Sequence, residues 1–139
     1  MMTRILGKYE PYFYAILRIV SGFLFALHGA QKLFGFPPSG KRAAPLNAMI
    51  TTAGVVELIA GLMILFGLFA SIAAFIASGQ MAVAYFMAHQ PQGALPLQNG
   101  GDAAVLFCFI FLYIAARGSG VLNLDSAFNR NTSAAGNNT

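Results

Sequence analysis

The feature that most narrows the possible folds is a succession of long apolar runs separated by short breaks. They lie at roughly residues 12–34, 46–69, 72–88 and 103–116. A helix rises about 1.5 Å per residue, so some twenty apolar residues cross a hydrocarbon core of about 30 Å. Backbone polar groups at that depth must be bonded within the chain, which leaves helices or closed barrels. Runs of this length predict an all-α membrane protein, a bundle of four transmembrane helices with short loops. The last run is short for a span; with Asp102 and Arg117 reaching the two interfaces it becomes 102–117.

Composition supports this. Hydrophobic residues make up 58% of the 139 residues and charged residues only 9%. A soluble domain averages about 25% charged residues, too many for this chain to match. Disordered chains are apolar-poor and charge-rich, so disorder is excluded too. The single cysteine, Cys108, permits no internal disulfide and no CxxC pair, and reads as a buried apolar thiol. The net charge of +4 does not indicate nucleic acid. Arg4, Lys8, Lys32, Lys41, Arg42, Arg117 and Arg130 sit near the ends of apolar runs, as suits lipid headgroups.

The first run is too long and too aromatic for a signal-peptide core. Gly35 is placed for a left-handed cap, and Pro37 and Pro38 stop the helix. A tight hairpin is expected around Gly67 to Ser71. The longest connection, His89 to Gly101, carries prolines, glycines and amides and is expected to dip into the interface or cover one end of the bundle. Asp102 stands at a helix start, where its carboxylate can accept from free N–H groups. The expected organisation is an N-terminal cytoplasmic segment (1–11), a membrane domain (12–117), and a polar tail (118–139) whose last ten residues are disordered. Four crossings put both termini on one side. Arg4, Lys8, Arg117 and Arg130, with Arg18 just inside the leaflet, outnumber Lys32, Lys41 and Arg42, so that side is expected to be the cytoplasm.

Polar side chains inside the runs each require a partner or a function. Arg18, Ser21, Phe25, His28 and Lys32 fall on one broad face of the first helix, with Gln31 beside them. Glu57 is near the middle of the second run, with Gly54 and Gly61 on its face, where small residues admit another backbone. Its expected depth lies between Arg18 and His28, with an ion pair to Arg18 or a hydrogen bond to His28. Ser78, Tyr85 and His89 share a face of the third helix, and Gln80 lies elsewhere on it. Blander readings stand level with these for Arg18, Glu57 and His28, and ahead of them for His89 and Asp102. An Arg18–Glu57 pair holds register, His28 makes a structural hydrogen bond, His89 sits at the interface, Asp102 caps a helix, and Met63, Met81 and Met87 pack or face lipid. The absence of HExxH, of histidines at i and i+4, and of clustered cysteines argues against a metal site. The phosphate loop, the Rossmann unit and the GxSxG elbow are absent as well. Two histidines, His28 and His89, are thin support for haem.

The segment Leu17-Arg18-Ile19 with Leu27-His28-Gly29-Ala30-Gln31-Lys32-Leu33-Phe34-Gly35-Phe36 resembles the first helix of the DoxX family. Gly54-Val55-Val56-Glu57-Leu58-Ile59-Ala60-Gly61, followed by Leu65-Phe66-Gly67-Leu68-Phe69, is similar to its second. Gln98-Asn99-Gly100-Gly101-Asp102 resembles the start of its fourth. One departure is that Ala70 and Ser71 stand where the family often has a basic residue. The resemblance implies a small four-helix protein of the bacterial inner membrane. Its relatives include a subunit of thiosulfate:quinone oxidoreductase and a partner in a thiol and superoxide detoxification complex. Arg18, His28, Gln31, Lys32, Glu57, Asn99 and Asp102 are the family's characteristic polar residues by position.

Two readings stay open. In one, the bundle binds a quinone and works in redox chemistry with a soluble or second membrane subunit. There His28 would donate to one carbonyl and move a proton, Glu57 would relay it, and Arg18 or Lys32 would stabilise negative charge. In the other, the chain is a non-catalytic anchor or assembly factor for redox enzymes. Transport ranks third and would require a homo-oligomer. Whether the chain is an enzyme is left open.

Overall fold

Backbone that cannot reach water must satisfy itself, and the apolar runs do so as helices. The structure, a computed structural model, describes residues 2–38 and 45–127. Lys41, Arg42, Arg130 and the last ten residues lie outside the described residues. Every regular element among the described residues is helical. A short α1 (Met2–Leu6) leads through a 3-10 turn into α2 (Glu10–Phe34). Pro11 sits in the first turn of α2, where a missing N–H costs no helical bond. Gly35 ends α2 in the left-handed conformation, its N–H bonded to the Gln31 carbonyl. α3 (Ala48–Phe66) starts at Asn47, whose side chain accepts from the Ile50 N–H. α4 (Ala70–Ala84) runs on through a π turn at Tyr85–His89 and a 3-10 turn at Gln90–Gln92. α5 (Pro96–Asn99) is one turn, and α6 (Asp102–Arg117) closes the bundle.

Three helical stretches are long and apolar enough to cross a bilayer: Met2–Phe34, Ala48–Phe66 and Ala70–Gln92. α6, expected as a fourth crossing, has 16 residues. That is about 24 Å at 1.5 Å per residue, less than a full hydrocarbon core. Large apolar side chains such as Ile16, Phe23, Ile59 and Phe75 face outward, while small and polar residues fill much of the interior.

The helices pair as α2 with α3 and α4 with α6, and α3 with α4 joins the pairs. Glycine sets the first pairing. A Cβ on Gly22 would lie 2.5 Å from the Leu65 nitrogen, and one on Gly29 would lie 2.4 Å from the Leu58 nitrogen. From the other side, a Cβ on Gly61 would meet the Ala26 nitrogen at 2.5 Å. The two backbones are in contact, and no side chain fits between them. The second pairing uses alanine. Ala70, Ala73, Ala74 and Ala77 are buried along α4, with Phe111 and Ile114 buried on α6. Phe25 of α2 packs on the Phe111 ring at 4.7 Å and ties the two pairs together.

The polar tail, as far as Ala127, folds back under the α3–α4 hairpin. The Leu124 N–H donates to the Phe66 carbonyl at 3.0 Å, and Asp125 Oδ1 accepts from the Phe69 N–H at 3.0 Å. The junction holds two non-glycine residues at positive φ, Phe69 (47°) and Leu122 (55°).

Candidate functional site

The α2–α3 glycine contacts decide which polar residues meet. Because Gly29 stands against Gly54 and Leu58, Glu57 is level with Gly29, at the His28 end of the bundle. It does not lie between Arg18 and His28, and neither of its expected partners reaches it. Lys32, one turn beyond, forms the ion pair through Glu57 Oε1. Gln80 of α4 donates to the same oxygen at 3.1 Å and to the Ala53 carbonyl at 3.1 Å. Glu57 is 1% exposed, and its Oε2 has no partner among the described residues.

Arg18 lies toward the other end and is fully buried. Its Nη1 donates to the carbonyls of Ile64 (2.6 Å) and Leu65 (2.9 Å), and its Nη2 to those of Leu122 (2.6 Å) and Val121 (3.4 Å). The last turn of any helix leaves carbonyls without intrahelical partners. Arg18 supplies donors to the last turn of α3 and to the backbone that follows α6, so the expected Arg18–Glu57 pair gives way to a clamp on carbonyls.

A cavity of about 280 Å³ opens where α2, α3, α4 and the start of α6 converge. Its polar lining is His28, Lys32, Glu57 and His89, and Phe25, Met81 and Phe107 supply apolar wall. Gly100, Ala103 and Ala104 close it at the α6 side. That size is at the small end of small-molecule sites and suits one substituted ring. The His28 ring stands edge-on to Phe107 at 6.1 Å, and the His89 ring stacks on Tyr85 at 6.5 Å. Each imidazole is held by a backbone carbonyl at Nδ1, that of Leu24 for His28 (2.8 Å) and that of Asn99 for His89 (3.1 Å). His28 Nδ1 is therefore engaged within its own helix, and Nε2 is the ring atom left for a ligand.

The other sequence candidates play supporting parts. Asn99, buried, donates to the Gly93 carbonyl at 3.0 Å and accepts from the Gly101 N–H at 2.8 Å, which shapes the loop that carries His89. A Cβ on Gly101 would lie 2.8 Å from the Tyr85 ring, so that ring closes on the loop only over glycine. Gln31 donates to the Pro37 carbonyl at 3.4 Å, outside the cavity lining. Asp102 is exposed and does not line the cavity. The residue ahead of α6 is Gly101, and Asp102 takes the first helical position, where its charge complements the dipole. Two residues that matter most were undervalued by sequence reasoning. Gln80 was set apart because it lies off the face shared by Ser78, Tyr85 and His89, yet a lone amide in an apolar run was the available signal. Spacing alone puts His89 at the interface, and the π turn sets it on the cavity wall; such turns often mark sites.

Bilayer-length helices around a small, partly open cavity with a cluster of polar side chains on its wall define a compact helical membrane protein. The DoxX family pattern matches residues 13–90, and the chain belongs to that family. It is 44% identical over 128 residues to an uncharacterized protein of Haemophilus influenzae (strain ATCC 51907 / DSM 11121 / KW20 / Rd), an alignment covering 88% of this chain and 96% of that one. No solved structure matches it.

Proposed function

We propose that this DoxX-family membrane protein is a redox-associated subunit of the bacterial inner membrane whose cavity binds the ring of a quinone. The observation that carries the reading is the cavity itself. It is ring-sized, with imidazoles on two walls, aromatic residues between them, and a buried carboxylate oxygen that has no partner among the described residues. The polar lining fits such a ring: Lys32 would donate to a ring oxygen, His28 and His89 would accept from the hydroxyls of its reduced form, and Phe25 and Phe107 would flank its face. A bound quinone supplies coupled electron and proton transfer. Glu57, paired with Lys32, would hold or pass a proton at the cavity wall. The electrons then come from a soluble or second membrane subunit, which makes this chain a component of a larger assembly.

The reading includes α6 as a fourth crossing. The Glu10–Arg117 ion pair, with Arg117 Nη2 to Glu10 Oε2 at 2.8 Å, sets the end of α6 beside the start of α2. Arg4, Lys8 and Arg117 gather at that end and support its placement in the cytoplasm.

The test is extraction of quinone from the full chain purified in mild detergent, measured by absorbance. Near-stoichiometric quinone is expected in the wild type, with strong loss in His28→Ala and Glu57→Gln. Wild-type protein free of quinone, with redox enzymes retained equally by both variants, replaces this reading with that of a non-catalytic anchor.

A further inference from the structure

We infer that the cavity is built to hold the reduced, hydroxyl-bearing quinol in preference to the oxidised quinone, an inference that rests on the reading above. Backbone carbonyls only accept hydrogen bonds. The Leu24 carbonyl at 2.8 Å from His28 Nδ1 therefore requires the hydrogen on that nitrogen, and the Asn99 carbonyl at 3.1 Å requires the same of His89 Nδ1. In each neutral ring the remaining nitrogen, Nε2, is then an acceptor. The third group is Glu57. Its Oε1 takes Lys32 and Gln80, and Oε2 is buried with no partner among the described residues. As the anionic member of an ion pair, that carboxylate also only accepts.

Donors border the cavity too. Lys32 keeps N–H groups beyond the one given to Glu57, and Ala103 and Ala104 lie in the first turn of α6, where helical N–H groups have no intrahelical partner. These do not discriminate, because a quinol oxygen and a quinone oxygen both accept. The acceptors do. A quinol hydroxyl donates to His28 Nε2, His89 Nε2 or Glu57 Oε2. A quinone carbonyl brought against the same atoms sets acceptor on acceptor, and at the buried Glu57 carboxylate an unmet polar group is costly.

The test uses the full chain purified in detergent and stripped of endogenous quinone. Decylubiquinone and its reduced quinol are titrated in parallel under anaerobic conditions by calorimetry. The quinol is expected to bind at least tenfold more tightly. Each tenfold of preference raises the midpoint potential of the bound couple by about 30 mV, which an equilibrium redox titration reads independently. Glu57→Gln is expected to erode the preference by weakening quinol binding. His28→Ala, at a residue with an exposed face, is expected to do so without threatening the fold. Equal affinities in the wild type, tighter quinone binding, or a preference untouched in both variants overturns the inference and leaves the cavity reading standing. Failure of both redox forms to bind overturns the two together.

Discussion

The bundle buries charge at two places about 21 Å apart along α2, fourteen residues at 1.5 Å each, and handles it in opposite ways. Arg18 is surrounded by backbone. Its guanidinium spans the end of α3 and the segment after α6, and among the described residues only Nε is left without a partner. The chain tolerates left-handed Leu122 there, a residue whose carbonyl Arg18 engages. At the other end, Lys32 and Gln80 satisfy one carboxylate oxygen of Glu57, and the second, beside a cavity, has no partner among the described residues. A buried charge whose bonds are taken up by backbone is a joint. One that leaves polar capacity on a ring-sized cavity is a site. The two residues look alike in the sequence, each a lone charge in an apolar run, and the difference lies in what surrounds them.

The sharpest way to break this contrast is at the joint. Arg18→Leu removes the donors from four carbonyls, that of Ile64 in a fully buried residue. A loss of about 3–5 kcal/mol is expected, since hydrogen bonds to a charged group contribute roughly 1.5–3 kcal/mol each and are not additive. Arg18→Lys, a single-point donor in place of a fork, is expected to recover only part of this. Unfolding in mixed detergent micelles measures both. A cost under about 1 kcal/mol for Arg18→Leu would remove the clamp from the account.

The glycines tie the two ends together. Gly29→Ala puts a Cβ 2.4 Å from the Leu58 nitrogen, so α2 and α3 must separate. The expected cost is about 2–3 kcal/mol, in the range of overpacked cores, with loss of quinone because Lys32 is drawn away from Glu57. Gly79→Ala is the control: nothing lies within 4 Å of its added Cβ, and a neutral or stabilising change of up to about 1 kcal/mol is expected. Equal effects at the two glycines would mean that close approach of α2 and α3 does not set the register.

At the site, fold and function should come apart. Lys32→Met leaves Glu57 with Gln80 alone and is expected to cost about 1–2 kcal/mol, reduced because Lys32 is partly exposed. Combining it with Glu57→Leu is expected to restore stability to within about 1 kcal/mol of wild type, since a buried ion pair is often replaced by apolar residues without penalty. Quinone binding should stay lost. A double variant less stable than Lys32→Met alone would make this pair a joint like Arg18.

What the sequence revealed follows from which physics is local. Long apolar runs announce helices, Gly35 its cap, and a charge in such a run announces that it needs a partner. Which partner depends on register, and register here depends on four glycines meshing backbone to backbone, Gly22 and Gly29 with Gly54 and Gly61. Residue spacing put Glu57 deeper than it lies, so Arg18 and His28 looked closer to it than Lys32. Arg18's own partners are backbone carbonyls, which no side-chain pattern encodes. The direction of His89 depends on a π turn that adds a residue to the winding of α4, and a strict 100° period cannot carry that. The tail up to Ala127 looks featureless by hydropathy because its bonds to Phe66, Gly67 and Phe69 are to main chain.

The smallest effect falls on the residue that sequence reasoning favoured as a helix cap. Asp102 is exposed in the first turn of α6, and its contribution is charge against a helix dipole. Asp102→Asn is therefore expected to cost about 0.5 kcal/mol, at the low end for such interactions, with quinone content unchanged. Asn99→Ala should cost more, about 1–2 kcal/mol, because Asn99 accepts from the Gly101 N–H and bonds to the Gly93 carbonyl inside the loop. It should also lower quinone content, because the loop carbonyl that holds His89 Nδ1 is its own. Thermal unfolding and quinone extraction on the two variants separate the roles. If Asp102→Asn empties the cavity while Asn99→Ala does not, the α6 terminus and not the His89 loop shapes that wall of the site.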